Sequence, residues 1–118
     1  MMEIKLYGQR IMICRQAIDF RKGISGLIQI IKELLKGDAS KSIYIFYNRA
    51  KTGIKILTFH KNGFLLVYKK MASGSFEMKF NKAEGTMEIN NQELSWMLAG
   101  LEWSKMRHWK ELNYDKFS

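Results

Sequence analysis

The spacing of hydrophobic residues changes period three times along this chain, and each change marks a change of element. Ile11, Met12, Ile13 and Cys14 form a short apolar run that reads as a strand, with a weaker candidate before it at Lys5 to Tyr7. Ile24, Leu27, Ile28, Ile31, Leu34 and Leu35 then recur at three- and four-residue intervals, which places them on one face of a helix. Asp19 is a candidate N-cap for that helix, and Lys36-Gly37 supplies a cation followed by a stop at its end.

From Ser42 the period becomes that of strands. Ile43 to Tyr47, Ile54 to His60 and Phe64 to Lys70 are β-branched and aromatic runs, and Phe76 to Phe80 alternates apolar with charged residues as a further strand would. Asn62-Gly63 between two of these runs is a strong hairpin signal, because both residues tolerate the positive φ of a two-residue turn. Helical spacing returns at Leu94, Met97, Leu98 and Leu101, preceded by Asn90 and Glu93 in the arrangement of a capping box. The pattern predicts an α+β fold in which an antiparallel meander of about four to five strands packs against one long N-terminal helix and is closed by a C-terminal helix.

Composition narrows this reading. The 118 residues are 47% hydrophobic and 26% charged, contain no proline, and show no repeat, low-complexity linker or shift in composition, so a single domain over residues 1–118 is expected, with a polar and aromatic tail at 103–118. Cys14 is the only cysteine, which excludes an intramolecular disulfide and a multi-cysteine metal site, and its apolar neighbours predict a buried, inert thiol. No apolar stretch is long enough for a signal peptide or a membrane span, so a cytoplasmic protein with no membrane contact is expected.

Charge carries the functional signal. The formal net charge is +9, and between Ala39 and Phe76 there is no acidic residue against Lys41, Arg49, Lys51, Lys55, Lys61, Lys69 and Lys70. One-sided charge on a folding segment costs self-repulsion unless an anionic partner or a high-salt environment relieves it, so a polyanion is the first partner to expect, a merely soluble basic domain being the plainer reading. With the turn at Asn62-Gly63, Lys61 faces Phe64 and Lys55 faces Lys70; counting back through the loop sets Tyr47 beside Lys55 on the same surface. Like charges opposed in a sheet are destabilising unless a phosphate lies between them, and Tyr47 would offer a ring on which a base or sugar stacks, with Arg49 and Lys51 in the adjoining loop. A lysine that simply extends into solvent is the plainer alternative. Arg21 and Lys22, placed in the first turn of the helix capped by Asp19, sit where the helix dipole is already positive; they either hold an anion or Arg21 pairs with Asp19.

No enzyme is expected. Metal-dependent nuclease chemistry needs convergent carboxylates, but Glu3, Asp19, Glu33 and Asp38 are scattered, and His60 and His108 have no metal-ligand spacing. The reading therefore assigns no catalytic residue, metal or cofactor.

The strings Asp19-Phe20-Arg21-Lys22-Gly23 with Gly26-Leu27, Phe46-Tyr47-Asn48-Arg49, Lys55-Ile56-Leu57, Asn62-Gly63-Phe64, Tyr68-Lys69-Lys70-Met71, Gly74-Ser75-Phe76 and Leu98-Ala99-Gly100-Leu101 are jointly specific. In that order they resemble the second open reading frame of the bacterial insertion sequences numbered sixty-six, an accessory transposition protein often labelled TnpB and unrelated to the RNA-guided nucleases of that label. The resemblance runs from Gly8 to Glu102. It implies a non-enzymatic protein encoded beside a separate transposase, which is the expected second partner. The chain departs from the family pattern at Phe59-His60, where relatives carry Trp-Asp, at Asn62, where an acid is common, at Lys70, where Arg is usual, and at Glu77-Met78, where Trp-Pro often follows. Together the residues point to an accessory transposition protein that binds DNA through Arg21, Lys22, Tyr47, Arg49, Lys51, Lys55, Lys69 and Lys70. The alternative is an adaptor whose basic face docks on an acidic patch of the transposase without touching nucleic acid.

Overall fold

The structure is a computed structural model that describes residues 9–76 and 85–99. The elements run β1 (Arg10–Cys14), α1 (Ile24–Glu33), β2 (Ser42–Tyr47), β3 (Gly53–His60), β4 (Gly63–Lys70), β5 (Thr86–Ile89) and α2 (Asn91–Leu98). They build an α+β fold around a five-stranded sheet of order β4-β3-β2-β1-β5.

The sheet is mixed, which corrects the expected antiparallel meander. β1 and β2 pair in parallel, Ile11 beside Ile43 and Ile13 beside Ile45, whereas β2–β3, β3–β4 and β1–β5 are antiparallel. Parallel neighbours need a crossover connection, and α1 with its flanking loops is that connection. β5 went unrecognised in the sequence. Phe76 lies outside any strand, and the rest of the strand expected at 76–80, like those expected at Lys5 to Tyr7 and the helical stripe at Leu101, falls outside the described residues.

Helices cover both faces of the sheet. On one face Ile11, Ile13, Ile43, Ile45, Tyr47, Ile54, Ile56 and Ile89 pack with Phe76 and with Leu94 and Met97 of α2; on the other Cys14, Tyr44, Phe46 and Leu57 pack with Leu27 and Ile31 of α1. Two-sided burial explains the unbroken apolar runs: every residue of β2 from Ile43 to Tyr47 is buried. Each such side chain contributes about 1.5–3 kcal/mol of transfer free energy. Cys14 is fully buried, and burial pushes its thiol up from its ordinary pKa.

α1 is shorter than the sequence periodicity suggests. It begins at Ile24 with Gly23 as N-cap and no capping side chain, because Asp19 turns its carboxylate onto the backbone N–H and guanidinium of Arg21. Its far end unwinds through Lys36 at φ 54, and the Gly37 N–H reaches the Ile31 carbonyl at 2.9 Å. α2 carries the capping box legible in the sequence: Asn90 Oδ1 accepts from the Glu93 N–H at 2.8 Å, and Glu93 Oε1 accepts from the Asn90 N–H at 3.1 Å.

The β3–β4 turn consists of Lys61-Asn62, with Lys61 at φ 56 and His60 paired with Gly63. The expected register, with Lys61 against Phe64, is therefore two residues out. Lys55 stands opposite Tyr68, and Lys70 is paired with Gly53. A shift of two keeps each side chain on its face. The β2–β3 register differs by one, since Tyr47 pairs with Ile54 and not with Lys55, and a slip of one carries a side chain to the other face. Tyr47 is accordingly buried on the α2 side, away from Lys55.

Two predictions follow from these positions. Gly63 is outside the positive-φ region and a Cβ there meets nothing within 4 Å, so Gly63→Ala should change stability by no more than ~1 kcal/mol in urea denaturation, in either direction. Burial pushes the Tyr47 phenol from the usual 10 up to about 12, so the unfolded chain ionises first. Stability should be undiminished below pH 10 and fall progressively from there to pH 12, with Tyr47→Phe flattening that fall.

Candidate nucleic-acid interface

β1, β2 and β4 all end, and β3 and β5 both begin, at one end of the sheet. Three chain segments meet there: residues 15–23 after β1, residues 48–52 between β2 and β3, and residues 69–76 at and after the end of β4. They are tied by backbone hydrogen bonds from Ile18 to the Tyr47 carbonyl at 3.0 Å, from Met71 to the Thr52 carbonyl at 2.7 Å and from Phe76 to the Lys51 carbonyl at 2.6 Å. Asn48 shapes the middle segment. Its Oδ1 accepts from the Thr52 and Gly53 N–H groups at 2.9 and 3.0 Å, its Nδ2 donates to Thr52 Oγ1 at 2.8 Å, and Lys51 takes φ 57 to complete the turn.

These three segments carry Arg15, Arg21, Lys22, Arg49, Lys51, Lys69 and Lys70 and a single acid, Asp19. Asp19 is committed to Arg21 through contacts of 2.6–3.1 Å, and the guanidinium holds its carboxyl down to about 2, so the pair persists through the ordinary pH range. The N-terminus of α1 opens at the same end, adding the positive pole of its dipole. The opposite end of the sheet is mixed: Lys36, Lys41 and Lys61 are accompanied by Asp38, and Arg10 is bonded to Glu88 at 3.0 Å.

The residues singled out in the sequence take different places in this arrangement. Arg21, Lys22, Arg49 and Lys70 are exposed at the basic end, and Lys51 is half-buried in its loop. Lys22, Arg49 and Lys70 make no ion pair with another described residue; the Lys22 stem runs along Gly26, where a Cβ would lie 3.1 Å from Lys22 Cβ. Lys69 points to the other face, where its ammonium donates to the Leu98 carbonyl at the negative end of α2. Tyr47 is buried beneath that same face and offers no surface for stacking.

Lys55 is a structural cation. Only 9% exposed, it donates from Nζ to the Phe20 carbonyl at 2.7 Å and the Lys22 carbonyl at 2.9 Å, and its ammonium lies 4.9 Å from the Phe20 ring centroid and 5.7 Å from that of Tyr68. It thereby fastens the residues 19–23 segment onto β3. The row Tyr47, Lys55, Lys70 read from the sequence is not formed, and no phosphate is needed to separate Lys55 from Lys70.

Tyr68 occupies the surface that sequence reasoning assigned to Tyr47. It is 50% exposed on β4, on the face it shares with Lys70, and meets Phe20 edge-on with centroids 5.7 Å apart. Both rings close over Gly53, where a Cβ would come within 3.0 Å of Phe20 Cε2 and 3.2 Å of Tyr68 Oη. The alternation of β4 beside the basic pair Lys69-Lys70 was the available signal; only the register fixed which aromatic residue it concerned. Among the described residues no three His, Cys, Asp or Glu are grouped to hold a metal ion, and no helix is long and apolar enough to cross a membrane.

The role of Lys55 is testable by stability. Lys55→Met keeps the apolar stem and leaves two carbonyls without their donor, so it should cost about 1–3 kcal/mol in urea denaturation and raise amide exchange across residues 19–23. Lys55→Glu should cost more, because a buried carboxylate would face two carbonyl oxygens; weakened ligand binding in that variant would report unfolding.

Comparison with known proteins agrees with the motif pattern. A family model described as IS66 Orf2 like protein matches residues 9–108. The "Uncharacterized protein y4jC" of Sinorhizobium fredii is 29% identical over 101 residues, which covers 85% of this chain and 86% of that protein. No solved structure matches significantly. The matched span takes in every element described above, from β1 to α2, and the chain belongs to the IS66 Orf2-like family.

Proposed function

We propose that this protein is a non-enzymatic accessory component of insertion-sequence transposition that binds DNA with the basic end of its sheet. Family membership supports the accessory role. The observation that carries DNA binding is the gathering of six cations, Lys69 being turned to the α2 face, with one acid, already neutralised by Arg21, on three segments that are distant in sequence and hydrogen-bonded together. Mutual repulsion there is relieved when phosphates replace water and counterions, and release of those counterions drives association. Lys22, Arg49 and Lys70 are the principal phosphate contacts, with Lys51 and Arg21 beside them. The surface is made of strand ends and loops, and α1 lies flat on the sheet with Leu27 and Ile31 buried, so it positions a backbone and does not insert a reading helix into a groove.

The test compares two charge reversals of equal size. Arg49→Glu with Lys70→Glu alters the basic end; Lys41→Glu with Lys61→Glu alters the opposite end and changes the net charge identically. By fluorescence anisotropy the wild-type chain should bind labelled DNA at least as tightly as the ordinary non-specific range of about 10⁻⁴–10⁻⁶ M, with a log–log salt slope of about −3 to −4 for roughly four neutralised phosphates. The first double variant should weaken binding by at least about tenfold and flatten the slope, and the second should do neither to that extent. Equal losses would show diffuse attraction with no site. DNA binding weaker than that range together with tight binding to the transposase would favour the adaptor reading.

A further inference from the structure

Tyr68 is an aromatic ring left half in solvent in the midst of cations, and the proposed DNA contact does not use it. We infer that the basic end prefers unpaired nucleic acid and that Tyr68 is its stacking platform; this rests on the DNA-binding reading above. Several observations converge on the ring. It is 50% exposed, on an edge strand, so an approaching planar group meets no other strand. Its setting is rigid: Phe20 abuts it edge-on at 5.7 Å, Gly53 lies beneath it, and the Lys55 ammonium that locks Phe20 in place also lies 5.7 Å from its centroid. Lys70 follows it by two residues on the same face, and Arg21 and Lys22 directly follow Phe20 in the chain, so cations are supplied near the ring by both β4 and the 19–23 segment.

Duplex DNA and a single strand offer the same phosphates to those cations and differ in what they offer the ring. In a duplex the base faces are stacked on one another and only their edges are accessible, so Tyr68 gains nothing without the cost of unstacking. A single strand presents its base faces freely. Stacking on an exposed aromatic residue is tolerant of sequence, which suits a surface that carries no reading helix, and a cationic track beside stacking rings is the usual construction for holding unpaired strands.

The experiment titrates the full chain against a labelled oligothymidylate and a labelled duplex of equal length at one salt concentration. The single strand should bind at least about fivefold more tightly, and Tyr68→Ala should weaken its binding by about five- to a hundredfold while leaving the duplex within about twofold. Tyr68→Leu, which keeps an apolar side chain of similar reach against Phe20 without an aromatic face, should behave as the alanine variant does, and Tyr68→Phe should bind as wild type. Retention of the wild-type circular dichroism and urea midpoint in the leucine and phenylalanine variants separates loss of stacking from loss of fold. Equal affinity for the two polymers, or equal losses on both in Tyr68→Leu, would overturn the inference and leave the basic DNA site standing, provided that Arg49→Glu with Lys70→Glu still weakens both. Failure of both polymers to bind would remove the DNA-binding reading and this inference with it.

Discussion

A lysine placed inside the molecule organises the basic end of its sheet. Lys55 projects from β3, beside the edge strand β4, and donates hydrogen bonds to two backbone carbonyls, Phe20 and Lys22, in the connection between β1 and α1. That connection has no regular structure of its own, and its backbone polar groups must find partners as any others must. With the ammonium in place, Phe20 is held over Gly53, Tyr68 is held against Phe20, and Arg21 and Lys22 are delivered to the end of the sheet where Arg49 and Lys70 also emerge. A residue that would read as one more surface cation thus positions the others.

The basic end follows from topology. β1 and β2 run in the same direction because α1 carries the chain back between them, and so the segments after β1 and after β2 emerge side by side. β4, antiparallel to β3, returns its final lysines to the same place. Each of the three described segments here is cationic, and the one acid among their residues, Asp19, is taken by its near neighbour Arg21. At the other end Asp38 and Glu88 moderate the charge. Among the described residues the two ends thus differ in charge, an asymmetry that the net charge of +9 does not reveal.

Local patterns in the chain were reliable where local physics decides. The apolar stripe of α1, the β-branched runs of β2 to β4 and the Asn90–Glu93 capping box each depend on residues within a few positions of one another. Asp19 shows where local reasoning stops. A helix cap and a turn closed on Arg21 are both short-range options for an aspartate, and the tertiary anchoring of Phe20 and Lys22 by Lys55 accompanies the second. The hairpin shows the same limit, since Asn62-Gly63 is the better turn by its own conformational preference, yet Lys61 takes the positive φ. The observed register sets Leu57 against Leu66 and Phe59 against Phe64, pairing apolar with apolar.

By itself the sequence determined the class of fold, the existence of most elements, the family and the concentration of positive charge between Ala39 and Phe76. These are properties of composition and short-range spacing. Only the tertiary structure decided which cations share a surface, that Tyr47 and Lys69 belong to the α2 side, that Lys55 is interior, and that Tyr68 is the exposed ring. The reason is geometric: side chains alternate across a strand, so one residue of register moves a side chain from one face to the other, and register is settled by loops and distant partners such as Asn48 and the 19–23 segment.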